Sequence, residues 1–147
     1  MKTFNEIVAN TENKDADFTV ALSIDDRKMS RIITRTEDGC EVAISVDRGL
    51  VLKDGQFIKI EDGKLLKVEA ALEEVTTVKA RTVHDLLTLA YHLGNRHVPL
   101  EVGKDNFLRY QTDHVLDEMV LKLGGFIIHE TAKFSPENGA YSHHHSH

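Results

Sequence analysis

The chain has 147 residues, 41% hydrophobic and 29% charged, which suits one average folded domain or two small ones. Its net charge of -6, without a basic stripe, argues against DNA or RNA as a partner. The opening MKTFNEIVANTENKDADF holds no long apolar run and no stretch approaches bilayer length, so neither a signal peptide nor a membrane span is expected, and the protein is placed in the cytoplasm.

Residues 17–70 read as short strands separated by turns. The strands are DFTVALSI (17–24), SRIITRT (30–36), EVAISV (41–46), QFIKI (56–60) and KLLKVEA (64–70). Glu37-Asp38-Gly39, Arg48-Gly49, Lys53-Asp54-Gly55 and Glu61-Asp62-Gly63 are the turns, each ending in a glycine. Such a pattern predicts a small all-β sandwich or barrel. The single cysteine, Cys40, excludes an intrachain disulfide and reads as a bystander thiol after a turn.

The periodicity changes near Leu72. EEVTTVKA (73–80) is a further strand, and Thr82 is placed to cap a helix over 83–93 whose apolar face is Leu86, Leu89, Ala90 and Leu93, extended by Leu87. Gly94-Asn95 is the expected stop, with Pro99 beyond it. VPLEV (98–102) and FLRYQ (107–111) follow as strands around the turn GKDN. A second helix starts near Thr112 or Asp113, with Val115, Leu116, Met119, Val120 and Leu123 inward, and ends at Gly124-Gly125. FIIHETAKF (126–134) closes the unit. The order β-α-β-β-α-β predicts a ferredoxin-like α+β domain. The expected division is an all-β domain over 1–72, a ferredoxin-like domain over 73–134 and a flexible histidine-containing tail over 135–147.

All nine histidines lie after residue 72: His84, His92, His97, His114 and His129 in the α+β part, His143, His144, His145 and His147 in the tail. Neutral imidazole is a good ligand for Ni²⁺, Zn²⁺, Cu²⁺ and Co²⁺. His84 and His92 are two helical turns apart, too far to share an ion, and read as surface residues, His92 with a ligand role open. His129 reads as structural. His114 opens a helix, where the dipole favours the neutral ring. His97 sits between a helix stop and a proline-bearing strand, and a two-fold axis would pair it with its copy. The tail brings several imidazoles on one tether, unless the broken run SHHHSH is a tag or a passive end.

Enzymatic motifs are missing: no HExxH, CxxC, GxxxxGK[ST] or GxSxG occurs. Asp25-Asp26, Glu73-Glu74 and Asp105 read as solvated acids. A phosphatase built on Asn95 and Arg96 would need a cradle of backbone amides that no loop suggests. The chain is therefore not expected to be an enzyme.

AYHLGNRHVPL (90–100), followed by LRYQTDHVLDEMVLKLG (108–124), resembles the UreE family of urease accessory proteins, which are nickel metallochaperones. SRIITRTEDGCEVAISVDRGLVLKDGQFI and KVEA extend the likeness over residues 15–134. The resemblance implies a β domain that binds partners and a metal-binding domain that forms homodimers. It implies that His97 faces its symmetry mate and binds Ni(II) at the dimer surface. Tail histidines, among His143, His144, His145 and His147, would complete the coordination. The implied partners are the GTPase UreG and the urease apoprotein with UreD and UreF. Some members carry a further histidine pair at the second helix; here Gln111 and Thr112 precede Asp113-His114, which departs from that pattern. The competing readings are a general Zn(II), Cu(II) or nickel buffer without delivery to urease, and an adaptor with idle histidines.

Overall fold

The computed structural model describes residues 1–9, 15–60 and 62–138. The chain folds as two units, the first Met1–Ala71 and the second beginning at Leu72.

The first unit contains β1 (Lys2–Phe4), β2 (Glu6–Val8), β3 (Phe18–Leu22), α1 (Ile24–Arg27), β4 (Arg31–Arg35), β5 (Glu41–Ser45), β6 (Phe57–Lys59) and β7 (Leu65–Ala70). These form two sheets, β1-β5-β4 and β2-β6-β7-β3. Alternation sets the inner faces: in β7, Leu66, Val68 and Ala70 are buried while their neighbours are not. Phe4, Val42 and Ile44 of one sheet meet Val20, Leu22, Ile58 and Leu66 of the other in a single core.

Two strands and one helix of this unit escape the sequence pattern. β1 and β2 have only three residues each, and β1 pairs in parallel with β5. The expected strand over 17–24 stops at Leu22 because Ser23 caps α1, its side chain accepting from the Asp26 amide at 3.3 Å. In α1, Arg27 is buried and its Nε donates to the Leu22 carbonyl at 3.1 Å. Of the expected turn at 61–63, Glu61 lies outside the described residues, and Gly63 takes a positive φ of 87°.

The second unit runs β8 (Leu72–Lys79), α2 (Val83–Asn95), β9 (Glu101–Gly103), β10 (Phe107–Gln111), α3 (His114–Lys122) and β11 (Phe126–Lys133). Its sheet has the order β11-β8-β10-β9, and every pair is antiparallel. Leu86, Leu89 and Leu93 of α2 and Leu116 and Val120 of α3 pack on Val78, Leu108 and Tyr110 of the sheet. Thr82 caps α2, accepting from the Asp85 amide at 3.0 Å. Asp113 caps α3, accepting from the Leu116 amide at 3.1 Å.

The inner side of α3 differs from expectation. Val115 and Leu123 are exposed, and Asp117 is buried in their place. Hydrogen bonds from Tyr110, Thr76 and His129 converge on that carboxylate and offset its desolvation. Ser135 and Glu137, expected in the flexible tail, are hydrogen-bonded to this unit: the Ser135 amide to Glu101 Oε1 at 3.0 Å and the Glu137 amide to the Leu100 carbonyl at 2.8 Å.

Candidate metal centre

The two helices end in the same way with different residues. In α3 the residue after the cap is Gly124, with φ 87°, and its amide donates to Leu121. In α2 the equivalent residue is His97, with φ 56°, and its amide donates to the Gly94 carbonyl at 3.0 Å. Left-handed backbone at a helix end is glycine's usual role, because a Cβ is strained there. The expected stop at Gly94-Asn95 is thus displaced: both are helical, and His97 makes the turn. Backbone strain of this kind costs about 1–3 kcal/mol and gathers at functional positions. The His97 side chain is exposed, so its imidazole is available to a ligand.

An apolar stripe runs up α2 toward this histidine. Val83, Leu87 and Tyr91, spaced four apart, are exposed, Leu87 at 64% and Tyr91 at 66%, so Leu87 does not extend the inward face as expected but lies on its own flank of the helix. His92 is half-buried and touches the Tyr91 ring edge-on at 5.4 Å. His84 is exposed on the same helix.

His114 is exposed, with Nε2 2.9 Å from Glu118 Oε1 one turn on. Asp113 Oδ1 is engaged as the cap of α3. Among the described residues no group of three or more His, Cys, Asp or Glu side chains is placed to hold a metal. His143, His144, His145 and His147 lie outside the described residues. Of the expected ligands, only His97 is therefore located.

A polar cluster that no sequence motif announces centres on Asp117. Its Oδ1 accepts from the Tyr110 hydroxyl at 2.7 Å and the Thr76 hydroxyl at 2.9 Å; its Oδ2 lies 2.8 Å from His129 Nε2. Burial alone would raise the Asp117 pKa, but the bonds from Tyr110, His129 and Thr76 outweigh it and hold it below the ordinary 3.8. Burial, and then the adjacent carboxylate, push the Tyr110 phenol far above its ordinary range. The signal available in the sequence was the stripe 113, 116, 117, 120, which puts an acid on the apolar face of the second helix. His129 also lines an open cleft of about 290 Å³ with Glu74, Thr112, Glu130 and Thr131.

A second network lies on the other face of the sheet. Arg109 Nε donates to Thr77 at 3.0 Å, and its guanidinium lies 3.5 Å from Glu130 and 3.7 Å from Glu101. Arg109 also packs over Phe107, 4.6 Å from the ring centre.

The chain is thus a two-domain protein, a β unit followed by an α+β unit that presents an exposed imidazole on a strained helix end. Two family models cover it: the N-terminal domain of UreE urease accessory protein over residues 4–71 and the C-terminal domain over 73–147. The chain belongs to the UreE family of urease accessory proteins. It is 52% identical to a urease accessory protein UreE of Teredinibacter turnerae over 122 residues, 83% of this chain and 79% of the relative. It is 45% identical to that of Alkalilimnicola ehrlichii over 126 residues, covering 86% and 77%. With that of Proteus mirabilis the identity is 38% over 147 residues, covering 96% and 91%. The chain is accordingly an accessory protein and not an enzyme. Among the described residues, no helix is long and apolar enough to cross a membrane.

Proposed function

We propose that the protein binds Ni(II) between two copies of itself and hands it to the urease maturation complex. The observation that carries this reading is His97: an exposed imidazole held in a left-handed conformation at the end of α2. The strand order β11-β8-β10-β9 with helices after β8 and β10 supports a ferredoxin-like assignment for this unit. The exposed Val83-Leu87-Tyr91 stripe leading to His97 supports a homodimer, because a two-fold contact there would bury apolar surface and bring two copies of His97 together.

Two imidazoles leave nickel under-coordinated. Tail imidazoles among His143, His144, His145 and His147 would supply further ligands. A tethered ligand exchanges readily, so a partner's ligand can replace it step by step. Ligation needs the neutral ring, so acid releases the ion. The receiving partners in this reading are the GTPase UreG and apo-urease with UreD and UreF, in the cytoplasm.

The test is calorimetric titration of nickel into the protein and into His97→Ala near pH 7, with molar mass followed in parallel. One tight nickel per dimer, lost in the variant, is expected. Tight binding that survives the substitution would remove His97 from the site. A buffering role for zinc or copper would show as metal retained when the GTPase and apo-urease complex are added.

A further inference from the structure

β11 and β9 are the two edge strands of the second unit's sheet, yet the chain leaving β11 is fixed beside β9. Lys133 is the last residue of β11. Its carbonyl accepts from Arg109 Nη1 at 3.3 Å. Phe134 is fully buried. The Ser135 amide then donates to Glu101 Oε1 at 3.0 Å, and the same carboxylate lies 3.7 Å from Arg109. The Glu137 amide donates to the Leu100 carbonyl at 2.8 Å. Leu108 and Tyr110 pack with the helices, so Arg109 between them points to the opposite face. Residues 133–137 thus form a strap across the sheet from one edge to the other, on the face away from α2 and α3.

The strap ends next to Leu100, three residues from His97. We infer that this strap, held by the half-buried Arg109–Glu101 pair and the Glu137–Leu100 bond, is a positioning device that starts the histidine tail beside His97. The inference rests on the tail-ligand reading above. From Asn138 to His143 there are 143 − 138 = 5 residues, which extended span about 17 Å. His97 is three residues, at most about 11 Å of extended chain, from Leu100, so a tether of this length suffices to bridge that stretch. Freed at Lys133, the tether would need 143 − 133 = 10 residues and would begin at the far edge of a four-stranded sheet, three strand spacings or about 14 Å away. Lengthening alone lowers the effective concentration of a tethered ligand about twofold to threefold, and the displaced root lowers it further. Arg109 and Glu101 are positioning residues in this scheme and touch no metal.

The experiment is nickel titration of the full chain, of Glu137→Pro, of Glu101→Ala and of a chain ending at Asn138, with each substitution repeated in the shortened chain. Glu137→Pro removes one amide donor on an exposed residue and leaves the half-buried Arg109–Glu101 pair intact, so it reports even where Glu101→Ala fails to fold. The expected result is about threefold weaker nickel binding, or more, for Glu137→Pro in the full chain and no change from it in the shortened chain. If shortening weakens binding but Glu137→Pro does not, the strap has no positioning role and the tail-ligand reading stands. An equal loss in both backgrounds would mean a structural effect on His97, and overturns the inference. If shortening changes nothing, tail ligation itself falls, and the strap's role with it.

Discussion

The Tyr110 hydroxyl donates to Oδ1 of Asp117 at 2.7 Å, and through this bond the middle of the second unit's sheet grips α3. Both groups are buried. Hydrogen bonds to an ionised partner contribute about 1.5–3 kcal/mol. Tyr110→Phe should lower the unfolding free energy by that amount in urea titrations while leaving nickel stoichiometry unchanged. A change below about 0.5 kcal/mol would show that water replaces the phenol at no cost.

Acid should act through the same carboxylate. The folded pKa of Asp117 lies below its ordinary 3.8, so the unfolded chain takes up this proton first as pH falls. The stability it contributes is complete above the ordinary value and is lost as pH drops through the lowered one. Asp117→Asn should therefore be less stable than wild type near neutrality, and the gap should close toward pH 2. Urea midpoints at three pH values measure this; a gap that widens in acid contradicts the assignment.

His97 invites a substitution that separates stability from binding. Glycine carries no Cβ penalty at φ 56°. In metal-free protein, His97→Gly should raise stability by about 1 kcal/mol, and the tight nickel site should vanish. Thermal unfolding with chelator, followed by nickel titration, reads both. Unchanged or lower stability would mean that the imidazole makes native contacts worth as much as the strain.

Leu87 tests the two-fold contact. It is exposed on the flank of α2, so Leu87→Asp should change the stability of the isolated unit by less than about 0.5 kcal/mol. In a dimer the same substitution buries an unpaired charge, and sedimentation should show monomers. Retention of wild-type mass and nickel stoichiometry would move the dimer contact elsewhere.

Most of the fold was legible from periodicity. The alternation in EVAIS and LLKVEA marks β5 and β7, and the 86-89-93 stripe marks α2, because each pattern is long enough to declare its period. β1 and α1 stayed hidden for the opposite reason: three residues carry no alternation and four no helical stripe. The inward Asp117 was missed because its partners lie on three other segments. His97 stood out as a candidate at the end of AYHLGNRH, but its left-handed backbone did not; glycine and asparagine, three and two positions earlier, offered a cheaper stop. The anchoring of Ser135 and Glu137 depends on Glu101 and Leu100, more than thirty residues away, and no local pattern encodes that distance.

The parallel pairing in the first unit governs when it can close. Phe18 faces Leu66 and Leu22 faces Ala70, so β3 lacks its neighbour until the last strand of the unit has been made. The second unit repeats the delay, since Leu72, at its start, pairs with Lys133, at the end of β11. On a ribosome the chain should therefore fold in two late bursts rather than strand by strand. Nascent chains halted before β7 should be protease-sensitive throughout, and those halted soon after the first unit emerges should protect it whole.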